Sequence, residues 1–262
     1  MTGRLHHERL LELCIRLSME AGGAILKVYE GDFSVKQKED ASPLTQADLA
    51  SNNIIVRVLS DTGIPLLSEE EREVPYELRS RWQYLWLIDP LDGTKEFISR
   101  NGEFTVNIAL IKEGVPVLGV IYAPAKDLLY YALRGQGAYK RERGLEMRLV
   151  PQVKDKNVIR IVGSRSHHTK ETEDFIAGLR ASYRNVEFHQ AGSSLKFCLI
   201  AEGRADIYPR FGPTMEWDTA AGQAILEETG GKVVDAEQEL PLRYNKRVLK
   251  NPAFIAKGRG IA

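Results

Sequence analysis

The sequence predicts an α/β protein with an N-terminal α+β lobe, residues 1–150, and a C-terminal α/β lobe, residues 151–262. Two observations predict this class. Helical patterns followed by several strand patterns in a row occupy the first part, which is typical of an antiparallel sheet with its helices set apart. From about Pro151 strand and helix patterns alternate, which is typical of an α/β lobe. A chain of 262 residues is long enough for two closely packed lobes.

The N-terminal lobe opens with two amphipathic helix patterns. Apolar residues recur at helical spacing over Leu5–Tyr29, and Gly31 ends this helix. A second helical pattern reaches Leu59. We expect Thr45 to cap it, with Asp48 in the reciprocal capping position.

Strand patterns then follow one another with short turns between them. They are Ile64–Leu67, Tyr84–Ile88, Thr105–Ile111, Val115–Tyr122, Leu128–Leu133 and Ala138-Tyr139. The turn Lys112-Glu113-Gly114 pairs two of these strands, and Pro124 and Gly135 mark further turns. In the C-terminal lobe the patterns predict a strand at Val158–Val162 and helices at Thr169–Arg180, Ser193–Glu202 and Trp217–Thr229. Gly230-Gly231 ends the last helix.

Charge and composition argue against several classes of protein. Lys plus Arg and Asp plus Glu each number 36, so no overall positive field attracts nucleic acid or an anionic membrane. No run of interleaved basic and aromatic residues stands out, and we expect no nucleic-acid partner. The sequence does not indicate an oligomeric state.

Cysteine usage and the apolar runs predict a cytoplasmic protein. Cys14 and Cys198 lie in apolar helical patterns without a CxxC pair, so we expect buried free thiols in a reducing compartment. Charges interrupt the N-terminal region where an export signal would be apolar. The longest mostly apolar runs, such as Val115–Ala125, are too short to span a bilayer.

The segment Asp89-Pro90-Leu91-Asp92-Gly93-Thr94 directly follows a buried strand pattern. Two carboxylates that converge in a partly dry cleft repel each other, and they take up protons or share a cation. Oxygen ligands favour magnesium, manganese or calcium over zinc. Backbone N–H groups after the turn would suit a phosphate at a helix start. The alternative is an ordinary turn in which both Asp side chains cap loop N–H groups.

Two other acidic positions have both a local and a functional interpretation. Glu69 adjoins a short strand and is placed to face a cleft, whereas Glu70 and Glu71 fit a solvated charge run. Asp218 lies in the first turn of a predicted helix, where the helix dipole favours an acidic residue.

Three separated segments follow one another along the chain: Glu69-Glu70, Asp89-Pro90-Leu91-Asp92-Gly93-Thr94, and Trp217-Asp218 with Ala220-Ala221. Together they resemble the signature motifs of the inositol monophosphatase superfamily. The resemblance extends over essentially the whole chain. It implies a layered αβαβα sandwich and a metal-dependent phosphatase.

Further segments resemble the bisphosphate nucleotidases of this superfamily. Lys95-Glu96-Phe97 follows Gly93-Thr94, where inositol monophosphatases usually have Thr-Asn-Phe. Residues 100–107, 192–198 and 208–214 are similar to the nucleotidases as well. The resemblance implies hydrolysis of 3'-phosphoadenosine 5'-phosphate (PAP), and of its sulfated relative, in the recycling of a by-product of sulfate assimilation. It also implies inhibition by lithium, and it allows a weak peripheral association with the cytoplasmic face of the inner membrane.

The resemblance also assigns roles to individual residues. It places two or three magnesium ions on Glu69, Asp89, Asp92, Asp218 and the Leu91 carbonyl. Thr94 and Asp48 would remove the proton of a water that attacks in line, a role for Asp48 that competes with helix capping. Glu69, Leu91, Asp92, Gly93, Thr94 and Asp218 would also contact substrate.

The second phosphate and the base need partners of their own. Lys196 and Arg210 are the candidates, because Lys and Arg form charge-assisted bonds with phosphate. Gly192 and Ser193 would donate backbone N–H groups at a helix start. A solvated helix face is the alternative for Lys196. Lys95 serves either the nucleotide or an ion pair with Glu96.

Two rival functions are consistent with much of this pattern. The first is a related phosphatase that acts on inositol or sugar phosphates, against which Lys95-Glu96-Phe97 argues. The second is a non-catalytic binding protein on the same scaffold. The retained carboxylates argue against it, because a scaffold without activity has no need for so many repelling charges.

Overall fold

The computed structural model describes residues 2–31, 35–37, 43–150, 157–164 and 169–261. The first part of the chain forms α1 (Thr2–Tyr29), β1 (Val35–Gln37), β2 (Pro43–Thr45), α2 (Gln46–Ser60), β3 (Leu66–Ser68), α3 (Tyr76–Arg79), β4 (Tyr84–Asp92), α4 (Thr94–Ile98), β5 (Thr105–Lys112), β6 (Val115–Ala123), a short 3-10 helix (Pro124–Lys126), β7 (Leu128–Leu133), β8 (Gly137–Glu142) and β9 (Leu145–Arg148).

The second part forms β10 (Val158–Gly163), α5 (Lys170–Ser182), β11 (Asn185–Gln190), α6 (Leu195–Ala201), β12 (Ile207–Arg210), α7 (Glu216–Glu228), β13 (Lys232–Asp235) and β14 (Phe254–Lys257). All the predicted strands and helices are present. Several short or half-exposed strands, such as β9 and β11, were not predicted, because a few residues without a regular apolar pattern carry no periodic signal.

Two large sheets organise the described residues. A seven-stranded sheet has the order β3-β4-β5-β6-β7-β8-β9, parallel only between β3 and β4. A five-stranded mixed sheet has the order β11-β10-β12-β14-β13. The change from one sheet to the other falls between β9 and β10, and β1 pairs separately with β2.

The cores show that the elements are stacked in five layers. Side chains of β4 alternate between the two faces of its sheet, as the strand period requires. Trp86 and Ile88 pack with residues of α1 and α2, whereas Leu85 and Leu87 pack with residues of α6 and α7. The opposite face of the five-stranded sheet packs against α5. The expected αβαβα sandwich is therefore confirmed.

Local outcomes follow the physical features of each segment. Helix α6 begins two residues later than predicted, because Ser193 adopts a left-handed backbone conformation with φ 53°. Cys14 and Cys198 are buried free thiols, as expected. The predicted cap at Thr45 lies outside the described side chains. None of the helices in the described ranges combines the length and the apolar character needed to cross a membrane.

Candidate active site

Strand β4 brings Asp89 and Asp92 to the same cleft by means of an irregularity in the sheet. In a regular strand, residues three apart point to opposite faces. Asp89 pairs with Asn107 and Asp92 with Thr105, and the register shifts between these two pairs. A bulge of this kind re-aims side chains. Both carboxylates consequently line one cleft of about 240 Å³.

The turn after β4 depends on a glycine. Gly93 has φ 89°, a left-handed conformation that glycine adopts without steric cost. A Cβ atom there would also lie 3.2 Å from the Cβ of Ser193. The turn leads directly into α4, so Thr94 stands at the first position of that helix and lines the cleft.

Each of three cleft carboxylates is held by protein hydrogen bonds at one oxygen only. Asp89 Oδ1 accepts from the Leu91 N–H at 3.1 Å. Asp218 Oδ2 accepts from the Met215 N–H at 2.8 Å, so Asp218 does serve the start of α7 as well as lining the cleft. The hydrogen bonds to Asp92 all reach its Oδ2. In the described part of the chain, the second oxygen of each receives no such bond and stays available to a ligand.

Burial and the repulsion of neighbouring carboxylates raise the pKa values of two cleft residues, Asp89 and Asp218. Burial raises the pKa of Asp89 well above its usual range, and the negative charges of Glu69 and Asp92 raise it further. Asp218 and Asp48 contribute to the same shift. Burial and then Asp92 likewise raise the pKa of Asp218. A nearby cation would remove both costs.

The donors fit a hard divalent cation by their chemistry. Within the described residues, no three His, Cys, Asp or Glu side chains already stand close enough together to hold a metal ion. Glu69, Asp89, Asp92 and Asp218 instead line an open cleft in which every candidate ligand is oxygen. A set of oxygen donors whose repulsion a cation would relieve suits a hard divalent ion.

Residues from the second part of the chain complete the site around Asp92. Its Oδ2 accepts from the Ser193 hydroxyl at 2.6 Å, the Ser194 N–H at 2.7 Å and, more weakly, Asn107 Nδ2 at 3.4 Å. The Thr105 hydroxyl lies 2.5 Å from that of Ser193 and 2.8 Å from that of Ser194. Two segments quoted above for their resemblance, 100–107 and 192–198, thus meet at one carboxylate.

Lys196 is buried in the cleft wall, so the solvated helix face considered for it is wrong. Its Nζ donates to the Ser193 carbonyl at 2.5 Å and lies 5.3 Å from the centre of the Tyr208 ring. Burial lowers the pKa of Lys196 to about 8, with Arg210 adding to the effect and Asp92 opposing it. Lys196 therefore places beside the carboxylates a cation that loses its charge at a lower pH than an ordinary lysine.

Arg210, at the end of β12, lines the same cleft. Its Nη2 donates to the Pro213 carbonyl at 3.1 Å. The Nε–H is buried and has no partner among the described residues. A buried donor without a partner is costly, and an anionic ligand in the cleft would satisfy it.

The expectation for Gly192 needs correction. Its N–H donates to the Glu103 carboxylate at 2.9 Å, so it is engaged within the protein, and Gly192 does not line the cleft. A Cβ atom at Gly192 would approach Glu96 Cγ at 2.6 Å. Gly192 therefore allows close packing under the site.

The other predicted residues divide into two groups. The cleft is lined by Glu69, Leu91, Gly93, Thr94, Lys95 and Ser193 in addition to those described above. Asp48 is buried behind the cleft on α2 and close enough to raise the pKa of Asp89. Lys95 is exposed, and no ion pair joins it to Glu96 in this described segment.

Several lining residues were not singled out from the sequence. They are Ser164, Ser194, Phe197, Tyr208, Thr214, Thr219 and Phe254. Ser194, Phe197, Tyr208 and Thr214 lie in segments that resemble the nucleotidases, but no role was assigned to them individually. Ser164, Thr219 and Phe254 lie outside those segments and reach the cleft from separate elements. The aromatic members pack on one another, with Phe197 and Tyr208 ring centres 5.4 Å apart.

The family relationship agrees with this geometry. The profile of the inositol monophosphatase family matches residues 6–262. The 3'(2'),5'-bisphosphate nucleotidase CysQ of Salmonella typhimurium is 47% identical over 250 residues, which cover 94% of this chain and 98% of that protein. CysQ of Haemophilus influenzae is 36% identical and covers 96% of this chain and 94% of its own.

Solved structures give the same result. The crystal structure of CysQ from Bacteroides thetaiotaomicron, described as a bacterial member of the inositol monophosphatase family, superposes with a TM-score of 0.84 at 48% identity. That match covers 94% of this chain and 95% of the other. An inositol monophosphatase from Anabaena is 26% identical with a TM-score of 0.75, over 98% and 93% of the two chains. The chain belongs to the inositol monophosphatase family.

Proposed function

We propose that the chain is a magnesium-dependent 3'(2'),5'-bisphosphate nucleotidase that hydrolyses PAP to AMP and phosphate, and the sulfated relative to adenosine 5'-phosphosulfate. The observation that carries the proposal is one cleft in which buried carboxylates adjoin the cationic side chains of Lys196 and Arg210. A substrate with two phosphates needs both features. The similarity to CysQ nucleotidases over nearly the whole chain supports the same activity.

The carboxylates would hold the metal. Members of this family are metal-dependent phosphatases, and we assign two or three magnesium ions to the cleft. Glu69, Asp89, Asp92, Asp218 and the Leu91 carbonyl are the proposed ligands. Bound magnesium supplies charge neutralisation of the phosphate and lowers the pKa of a coordinated water.

Thr94 and Asp48 would handle the proton of the attacking water. The Thr94 hydroxyl lies at the start of α4 in the cleft, where its Oγ1 can accept a hydrogen bond from the attacking water. A hydroxyl alone is a weak base, so the carboxylate of Asp48 behind it would receive the proton. Burial of Asp48 on α2 keeps that carboxylate out of bulk water.

Lys196 and Arg210 would bind the second phosphate. Lys196 remains mostly protonated at neutral pH, because its pKa is lowered only to about 8. The buried Nε–H of Arg210 is a donor that the described protein leaves for a ligand. Both bonds would be charge-assisted, and they would favour a bisphosphate over a monophosphate.

Phosphate release tests the proposal directly. PAP and inositol 1-phosphate are compared side by side with magnesium and with EDTA. We expect magnesium-dependent hydrolysis with a preference for PAP, and no activity in an Asp89→Asn variant. The control is Asp206→Asn, since Asp206 is equally buried but pairs with Arg160 outside the cleft. Preference for the inositol ester would retain the metal site and contradict the roles given to Lys196 and Arg210.

A further inference from the structure

The first turn of α7, which carries Asp218, is held by a segment that reaches it from the C-terminal end of the chain. Glu216, the first residue of α7, is fully buried. Its carboxylate accepts from the Asn245 N–H at 2.6 Å, and from the Lys246 N–H at 3.0 Å and Nζ at 2.6 Å. A buried carboxylate with this many donors has a single well-defined orientation.

Asn251 holds the same turn from a second direction. Its Nδ2 donates to the Met215 carbonyl at 2.7 Å and to the Thr219 hydroxyl at 3.0 Å. The N–H of Met215 is the group that donates to Asp218 Oδ2. One residue, Met215, therefore connects Asn251 to the carboxylate in the cleft.

The segment that carries these groups is itself anchored. Arg79 of α3 is fully buried, and its guanidinium donates to the Asn245 side chain at 2.9 Å and to the Lys246 and Arg247 carbonyls at 2.6 and 2.9 Å. Asn245 Nδ2 donates back to the Arg79 carbonyl at 2.7 Å. Because α3 belongs to the first part of the chain, the anchor links α7 to the part that supplies Asp89 and Asp92.

We propose that Glu216 and Asn251 are positioning residues that orient the Asp218 carboxylate for a divalent cation, through the first turn of α7. This inference rests on the proposed function, since it requires a cation in the cleft. Neither residue lines the cleft, so neither touches substrate. Groups that orient metal ligands from behind typically change metal affinity about 10–100-fold when mutated.

Magnesium binding to the full chain, measured by calorimetry, tests the proposal. Both carboxylate oxygens of Glu216 accept hydrogen bonds, and Glu216→Gln replaces one of them with an NH2 group that cannot accept. We therefore expect the dissociation constant for magnesium to rise about 10–100-fold. Asn251→Ser, which keeps the backbone bond from Asn251 to the Thr214 carbonyl, should act in the same direction. If Glu216→Gln does not fold, Asn251→Ser decides.

The matched control is again Asp206→Asn, which weakens a buried ion pair with Arg160 but leaves α7 untouched. We expect it to lower the unfolding temperature while magnesium affinity stays at the wild-type value. If the Glu216→Gln and Asn251→Ser variants fold and bind magnesium with wild-type affinity, this inference is overturned and the proposed function is not affected. A wild-type chain that binds no magnesium would overturn the proposed function and this inference with it.

Discussion

The Ser193 hydroxyl donates to Asp92 Oδ2 at 2.6 Å, although 101 positions separate the two residues in the chain. Asp92 ends β4 of the seven-stranded sheet, and Ser193 precedes α6 on the other side of the cleft. The N–H of Ser194 reaches the same oxygen. The two walls of the cleft are thus joined at a proposed magnesium ligand.

Removal of that hydroxyl should weaken both the fold and the site. A hydrogen bond to a charged acceptor contributes about 1.5–3 kcal/mol. We expect Ser193→Ala to lower the free energy of unfolding by about that amount and to reduce kcat/KM for PAP. Urea unfolding and initial rates measure the two effects. Ser80→Ala is the control, because Ser80 is exposed and its hydroxyl donates only a long hydrogen bond of 3.4 Å to the Glu77 backbone carbonyl. Equal effects of the two substitutions would contradict the assignment.

Asp89→Asn should abolish activity yet stabilise the metal-free protein. The pKa of Asp89 is raised by burial and by Glu69 and Asp92. A carboxyl whose pKa rises on folding stabilises the protein at low pH, and this contribution is lost as the pH rises through the folded pKa. In EDTA, the wild-type free energy of unfolding should therefore fall relative to Asp89→Asn from about pH 4 upward.

Urea unfolding of both proteins across this pH range, in EDTA and in magnesium, measures the difference. Magnesium should stabilise the wild type and have little effect on Asp89→Asn, because binding to the folded state alone raises stability. A pH-independent difference in EDTA would show that folding does not raise the pKa of Asp89.

Lys196 should give substrate selection a pH dependence. Because its pKa is lowered to about 8, the charged form is depleted above that pH. The value of kcat/KM reports ionisations of the free enzyme. We expect kcat/KM for PAP to fall above pH about 8, while that for a nucleoside 3'-monophosphate changes less. Lys196→Met should remove this difference and lower kcat/KM for PAP about 10–100-fold, as loss of a charged hydrogen bond predicts. Parallel pH profiles for both substrates in the wild type would be incompatible with this role.

A pair of glycine substitutions separates crowding from backbone flexibility. At Gly192 a Cβ atom would meet Glu96 Cγ at 2.6 Å and the Glu103 carbonyl oxygen at 2.9 Å. We expect Gly192→Ala to cost about 1–3 kcal/mol of stability, the usual range for overpacking. At Gly178, within α5, nothing lies within 4 Å, so Gly178→Ala should stabilise by about 0.5–1 kcal/mol. Thermal or urea unfolding distinguishes the two, and a neutral Gly192→Ala would show that both Glu96 and the Glu103 backbone move aside at little cost.

Local pattern alone was enough to predict the main elements and to single out the segment Asp89–Thr94 as a candidate site. Apolar spacing predicted the long helices and the strands β4 to β7, because each of these elements buries one or both of its faces with a regular period. The segment Asp89–Thr94 stood out because carboxylates directly after a buried strand need a partner. The layered sandwich came from resemblance to a family, and the structure confirms it.

Tertiary structure alone decided how the motifs meet. The register shift between Asp89 and Asp92, the burial of Lys196 and the bond from Ser193 to Asp92 depend on contacts between residues far apart in the chain. Burial is a property of the packed whole, so a lysine on a short helix pattern carries no local sign that its pKa will fall. The role of Glu216 could not be predicted either, because an acidic residue at the start of a helix is common in any sequence. Its partners lie about thirty positions away, and only folding brings them to it.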